Sequence, residues 1–129
     1  LNVDISSIAF VEDALIERLR EHELTKGLIE DISTESQEGT RLTNIDLYIR
    51  CTNRYIDEHP RINHMMMAMV RQLQPTEWGL PIELYCFTAD VNWVPHEHLQ
   101  TEIISHGVAL APIFDLRIYQ APTTQDIRR

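Results

Sequence analysis

Apolar residues recur along the chain with two different periods, which together predict a mixture of strands and helices. Near the start, apolar residues of β-forming type lie among polar ones and predict a strand. From Val11 to Arg20 apolar residues stand four apart behind two carboxylates, which predicts a helix because carboxylates favour a helix N-terminus. The same spacing continues past Gly27 after a break. The strand contains Val3, Ile5, Ile8 and Phe10, and the continuation contains Leu24, Leu28 and Ile32.

A second helix is predicted between a polar loop, Ser33 to Thr40, and a proline. Either Thr43 or Asn44 can cap its N-terminus, because both side chains accept hydrogen bonds from the first free backbone amides. His59-Pro60 ends it, since the residue before a proline avoids the α conformation. The apolar face follows helical spacing over three turns. It consists of Ile45, Tyr48, Ile49, Thr52, Tyr55 and Ile56.

A hairpin follows the second helix. Met65 to Leu73 and Pro81 to Thr88 are predicted strands, and Pro75 to Gly79 is the turn that joins them. Side chains alternate between the two faces of a strand, which places the charged Arg71 on one face with apolar neighbours. An unpaired charge is costly there, so we expect Arg71 to pair with Glu83 across the hairpin.

A third helix and a last strand complete the pattern. Asp90 or Asn92 caps this helix, and Pro95 stands near its first turn. Pro112 limits or kinks its C-terminal end, and Leu116 to Gln120 is the last predicted strand. The predicted apolar stripe of the helix consists of Leu99, Ile103, Ile104 and Val108.

The order of these elements is strand, helix, strand, strand, helix, strand when the first two helical segments are taken as one crossover. This order predicts an α+β protein with the ferredoxin-like βαββαβ arrangement, an antiparallel sheet with helices on one face. We assign residues 1–120 to a single domain and residues 121–129 to a frayed tail without a pattern.

The net charge of the chain excludes some kinds of binding partner. The 129 residues contain 11 Lys+Arg and 20 Asp+Glu, which gives a net charge of −9. No basic stripe exists that could displace counterions from a phosphate backbone, so nucleic-acid binding is not expected. Docking on anionic lipid is disfavoured for the same reason.

Cysteines and apolar stretches indicate the setting of the chain. Cys51 and Cys86 are too few for a disulfide framework, and we expect reduced thiols. The N-terminus lacks the pattern of a signal peptide and does not begin with Met, so we expect part of a longer protein. Two apolar uncharged stretches, Met65 to Val70 and Ile103 to Phe114, are shorter than the ~20 residues of a membrane helix.

His98, Glu102 and His106 are the best candidates for a metal site, since imidazole and carboxylate groups suit zinc. They are four residues apart on one helix face, but the first and last are about 12 Å apart along the axis. A solvated helix face is therefore the favoured interpretation. The methionine run Met65 to Met69 has thioethers that Cu(I) prefers, but gap filling in a buried strand explains it better.

No complete catalytic or cofactor-binding pattern occurs in the sequence. Neither cysteine has a local nucleophile signature, and no serine stands in a Gly-x-Ser-x-Gly context. The chain also lacks a glycine-rich phosphate loop. We therefore expect no enzymatic activity and no cofactor.

Several segments, in order along the chain, resemble the small-conductance mechanosensitive (MscS-type) ion channels, in the miniconductance branch. Asn2 to Phe10 resembles the "IDxxSIKF" strand of that family, and Arg41 to Asn44 resembles its "RRLTN" segment. His59-Pro60 with Val70 to Thr76 is similar to "HP…VRQLxPT", and Gly79 to Thr88 is similar to "GLPIEIYAFT". The chain departs from the family before Leu42, at Ala9 and from Asn92 to His98, which is richer in histidine.

The resemblance implies a cytoplasmic C-terminal domain of ferredoxin-like topology, from a parent channel in the inner membrane. In that family, identical subunits, typically seven, assemble into a vestibule below the pore. The channel opens under membrane tension and releases ions and osmolytes on hypo-osmotic shock. We expect Tyr85 and Phe87 to lie in a subunit interface, because both are apolar on the sheet face that the helices leave open.

Two other functions remain open from the residues alone. One is a free-standing regulatory module of ferredoxin-like fold that binds a metal or a small ligand. The other is a metal-dependent hydrolase that uses the segment from His96 to His106.

Overall fold

A computed structural model of the chain describes residues 1–27, 35, 39–60, 69–85 and 93–119. For residues 69, 84, 85 and 93–97 the description covers the backbone alone. Short 3-10 turns occupy Ile5–Ser7 and Ala111–Phe114. The strands and helices are β1 (Asn2–Val3), α1 (Asp13–Glu21), α2 (Asn44–Glu58), β2 (Met69–Gln72), β3 (Leu80–Tyr85) and α3 (Trp93–Leu110).

The three strands form an antiparallel sheet in the order β1-β3-β2. The predicted last strand is reduced to one isolated antiparallel bridge, between Val3 and Ile118. Two backbone hydrogen bonds flank the bridge, from the Tyr119 amide to Asn2 and from the Asp4 amide to Arg117. Helices and an antiparallel sheet in one chain make this an α+β protein.

One hydrophobic core joins the sheet to the helices. Leu80 and Ile82 of β3, Val70 of β2 and Val3 of β1 are buried in it. The helices and the second 3-10 turn supply most of the other members. These include Leu15, Ile16, Leu19, Ile45, Leu47, Tyr48, Cys51, Ile56, Leu99, Ile103, Leu110 and Phe114.

The bounds of α2 confirm the sequence prediction. Thr43 is the N-cap, and its hydroxyl accepts a hydrogen bond from the Asp46 amide while Asp46 accepts one from the Thr43 amide. The helix ends at Glu58, before the C-cap His59. Its buried surface is wider than predicted, because Leu47 and Cys51 are also fully buried.

The opening strand is shorter than predicted. β1 ends at Val3 because the Asp4 side chain accepts a hydrogen bond from the Ser6 amide and turns the chain into a 3-10 helix. Phe10 forms only an isolated bridge with Thr43, and its side chain is 56% exposed beneath the Arg41 guanidinium.

The predicted continuation of the helical apolar stripe beyond α1 is wrong for the residues that the structure describes. The helix ends at Glu21, and Leu24 is exposed in the following turn. Thr25 is buried there instead, and its hydroxyl donates a hydrogen bond to the Leu19 carbonyl. Leu28 and Ile32 lie outside the described residues.

The apolar stripe predicted for α3 is half correct. Leu99 and Ile103 are buried, whereas Ile104 is 46% exposed and Val108 is 41% exposed. The buried face continues instead through Gly107 and Leu110. The helix ends before Pro112, as predicted, and the chain then leaves the 3-10 turn through Asp115 at φ 62°.

The hairpin brings Arg71 and Glu83 directly opposite each other, as the alternation predicted. The Nε and Nη2 atoms of Arg71 lie 3.1 and 2.8 Å from Oε1 of Glu83. Both side chains are at least one-third exposed, so the pair lies on the face of the sheet away from the core.

We expect this pair to contribute about 0.2–1 kcal/mol to stability, the range measured for exposed and cross-strand ion pairs. A double-mutant cycle with Arg71→Ala and Glu83→Ala in urea unfolding measures the coupling. The exposed pair Arg18–Asp115, at 2.7 Å, is the matched control outside the sheet. A coupling of zero at low salt would remove the claim that Arg71 stabilises the hairpin through Glu83.

Candidate functional site

Three side-chain contacts connect α2 to α3 along their length. The Tyr48 hydroxyl donates a 2.6 Å hydrogen bond to the Gly107 carbonyl in the core. Tyr55, two turns further along α2, stacks on the His106 ring. His59, at the C-cap of α2, contacts the Glu102 carboxylate. The two helices therefore meet in antiparallel directions, with titratable groups in the contacts nearest the end of α2.

Four of these side chains form a close group, here called the histidine cluster: Tyr55, His59, Glu102 and His106. The Tyr55 and His106 rings are parallel within 4°, with centroids 3.7 Å apart. The Tyr55 ring also meets the His59 ring edge-on at 5.6 Å. His59 Nε2 lies 3.2 Å from Glu102 Oε1, and the His59 side chain is only 7% exposed. The imidazole reaches Glu102 in either charge state, as a neutral N–H donor or as an imidazolium.

Burial sets the protonation of the cluster. Nδ1 of His106 is buried and has no hydrogen-bond partner among the described residues. Loss of solvent lowers the pKa of His106 below its ordinary value; Glu102 acts in the opposite direction and His59 in the same one. The same burial, assisted by Glu102, raises the pKa of Tyr55. The cluster is thus poised to hold His106 neutral.

The structure does not bring the sequence-derived metal candidates together. His98 is exposed, Glu102 turns to His59 and His106 stacks on Tyr55. Within the described ranges, no three His, Cys, Asp or Glu side chains are grouped so that they could hold a metal ion. The side chains of His96 and Glu97 lie outside the description.

Sequence reasoning named Glu102 and His106 but missed Tyr55 and His59 as their partners. Tyr55 was assigned to the core and His59 to the end of a helix. The only available signal was the spacing of Tyr48, Tyr55 and His59 on α2, which places them near one side of that helix. Their partners are more than 40 residues away in the chain, and no local pattern identifies them.

A second feature is an open cleft of about 410 Å³ beside the start of β1. It is lined by Leu1, Asn2, Leu73, Pro81, Ile82, Glu83 and Ile104. Leu73 and Ile104 are themselves exposed, and Val108 continues the apolar surface one turn along α3. This cleft and helix face form an apolar surface patch, here called the apolar patch.

The structure does not describe the side chains of the two predicted interface residues, Tyr85 and Phe87. Tyr85 is paired with Met69 in the backbone register, but its side chain is not described, and Phe87 lies outside the described residues. Cys86 also lies outside them. Cys51 is buried and free, and burial raises the pKa of its thiol to about 12, so it stays protonated near neutral pH.

No helix in the described part of the chain combines the length and the apolar character needed to cross a bilayer. No protein-family model matches the sequence, and no solved structure shows significant similarity to this fold.

Proposed function

We propose that this chain is the vestibule and assembly domain of a mechanosensitive ion channel of the MscS type, on the cytoplasmic side of the inner membrane. In this role the domain is not an enzyme. It is one of several identical subunits, seven by the resemblance, whose assembly encloses a chamber below the pore. The observation that carries the proposal is that two of the segments resembling the channel family, Arg41 to Asn44 and Gly79 to Ile82, occupy positions that help to fix the described fold.

The segment Arg41 to Asn44 makes the start of α2. Leu42 is buried, Thr43 forms the capping box, and the Asn44 side chain bonds two separate parts of the backbone, at Ser7 to Ala9 and at Phe114. The segment from Gly79 to Ile82 makes the centre of the sheet, since Leu80 and Ile82 are buried. A resemblance in positions that specify the fold supports a shared fold more strongly than one in exposed loops.

Strand order gives a second support. With the Val3–Ile118 bridge included, the order is Ile118, β1, β3, β2, and every neighbouring pair is antiparallel. A ferredoxin-like βαββαβ chain requires the last strand beside the first and the hairpin strands beyond it. We therefore extend the α+β assignment to that topology in this proposal.

The apolar patch supports self-association. Ile104 and Val108 are one turn apart on α3, and Leu73 and Ile104 border the same cleft. Exposed apolar side chains in one patch are typical of a protein interface. Tyr85 and Phe87 stay predicted interface residues on the open sheet face.

Sedimentation velocity of the 129-residue chain tests the assembly. We expect weak self-association that strengthens with salt, because salt screens repulsion between copies of charge −9 over about 8–10 Å. The double variant Ile104→Lys/Val108→Lys is expected to remain monomeric. Ser105→Lys, at an exposed polar position between them, is the control for added positive charge. Equal association of all three proteins would exclude this face from the interface.

Channel activity is tested on the longer protein. A reading frame that encodes apolar segments of ~20 residues upstream of residue 1 is required. Its product is expected to rescue cells that lack mechanosensitive channels from hypo-osmotic shock and to give tension-activated currents in membrane patches. A reading frame without membrane segments would exclude the channel and favour a free-standing module.

The open cleft favours a small-ligand module as the second candidate. Its volume of about 410 Å³ is within the range of ligand pockets, and its lining is mainly apolar with Glu83 at one side. In this case a bound ligand, and not a second copy of the chain, would cover the exposed apolar side chains of Leu73 and Ile104 and exclude water from them. Ligand-observed NMR with a fragment library, compared between the wild type and Ile104→Lys, separates the two functions.

A further inference from the structure

The contact between Tyr55 and His106 combines close packing with an incomplete hydrogen-bond arrangement. The rings are stacked at 3.7 Å, yet Nδ1 of His106 is buried with no partner among the described residues. We propose that this stack is an acid-sensitive contact, which holds the C-terminal half of α2 on α3 while His106 is neutral and releases it when His106 takes up a proton.

The chemistry of the imidazole gives the reason. A neutral ring leaves Nδ1 as an acceptor, whose lack of a partner is tolerable. A protonated ring must donate from both nitrogens, and here the N–H at Nδ1 would be buried without an acceptor, on a charged ring that is partly removed from water. The Tyr55 face attracts a cation, but this gain is small compared with the cost of an unsatisfied buried charge.

The groups that face His106 act in different directions. On its own helix, Glu102 lies one turn earlier and favours the protonated ring. On α2, His59 disfavours it, and Tyr55 covers the ring. Burial is the largest influence, and the pKa of His106 is lowered from 6.5. Because the unfolded chain then binds the proton more readily, the stability from this contact is present above pH 6.5 and is lost as the pH falls below it.

The Tyr48–Gly107 contact limits how far the release extends. Burial raises the pKa of Tyr48 to about 12, so its hydroxyl stays neutral and hydrogen-bonded throughout this range. The capping box at Thr43 and Asp46 also fixes the first turn of α2. Opening is therefore confined to the end of α2 near Tyr55 and His59. This inference concerns contacts within one chain and does not depend on the channel proposal.

NMR titration of the 129-residue protein with ¹³C-labelled histidine tests the proposal. The Cε1–H signal of His106, assigned in the wild type by its through-space contacts with the Tyr55 ring, is expected to be shifted upfield by that ring at pH 7.5. It is expected to titrate below the ordinary histidine value of 6.5 and to lose the upfield shift as it does so. A His106 that titrates at or above 6.5, or keeps its ring shift when protonated, would overturn the proposal.

Equilibrium unfolding at pH 7.5 and 5.5 gives an independent readout. Each unit by which the His106 pKa lies below that of the unfolded chain lowers the folding equilibrium constant about tenfold at low pH. His106→Phe keeps the stack without a titrating nitrogen, so it is expected to lose less stability than the wild type. His98→Gln, two turns earlier on α3, is the control and should lose as much as the wild type. Equal losses in all three proteins would contradict the proposal, and the wild-type titration decides if His106→Phe does not fold.

Discussion

Replacing Asn44 with alanine is expected to lower the free energy of unfolding by about 3 kcal/mol. The Asn44 amide donates 2.9 Å hydrogen bonds to the carbonyls of Ser7 and Phe114 and accepts one of 2.9 Å from the Ala9 amide. The side chain is almost completely buried, so its removal leaves backbone groups without partners and without water. Each such group costs about 1–3 kcal/mol. Of a total stability of about 5–15 kcal/mol, this is a large share.

Urea unfolding of Asn44→Ala and Asn53→Ala measures the effect against a matched position on the same helix. Asn53 also bridges to another element, since its Oδ1 accepts a 2.8 Å hydrogen bond from the Val70 amide, but it is only half-buried. We expect Asn53→Ala to cost about 1 kcal/mol. Equal losses in the two variants would show that the number and burial of the Asn44 bonds do not decide its contribution.

Replacing Gly79 with alanine is expected to lower stability by about 2–4 kcal/mol, from a strained backbone and a direct collision. Gly79 has φ +107°, a conformation that residues with a Cβ rarely adopt. A Cβ atom there would lie 2.6 Å from the backbone oxygen of Val3, in the adjacent strand. That oxygen belongs to β1, so it cannot move aside without disturbing the sheet.

Two other glycines separate the contribution of backbone strain from that of the collision with Val3. Gly39 also has a positive φ, +83°, but a Cβ there would meet nothing within 4 Å, so Gly39→Ala measures backbone strain alone, about 1–2 kcal/mol. Gly27 has neither a positive φ nor a neighbour, and Gly27→Ala is expected to be neutral or slightly stabilising. Thermal or urea unfolding of the three variants should rank them with Gly79→Ala the least stable. A Gly79→Ala protein as stable as Gly39→Ala would show that the approach of β1 to the turn does not constrain this position.

Local interactions explain which predictions from the sequence are confirmed. The bounds of α2 follow from a capping box four residues long, Thr43 to Asp46, and from Pro60, both readable without knowledge of the fold. The hairpin turn and the Arg71–Glu83 pair follow from strand alternation and a short connection. In each case the residues that determine the structure are close together in the chain.

Three features were decided by the tertiary structure alone. Helical spacing offered Ile104 and Val108 as core residues of α3, but the buried face is set by Tyr48, whose hydroxyl reaches the carbonyl of Gly107. The second is Asn44, which the sequence offered only as a possible cap. Its side chain instead joins α2 to two other backbone segments, one at Ser7 to Ala9 and one at Phe114, which is 70 residues from Asn44, because the packing of the elements places unsatisfied groups around it.

The third is the histidine cluster. The sequence by itself determined the three helices, the hairpin, their order and the acidic, motif-poor character of the chain, because propensity, capping and alternation act over a few residues. It grouped His106 with His98 and Glu102 on one helix. The fold instead places His106 on Tyr55 and Glu102 beside His59, which lies 43 residues from it in the chain. Which side chains meet across two packed helices depends on how those helices are positioned, and that is decided by the whole core.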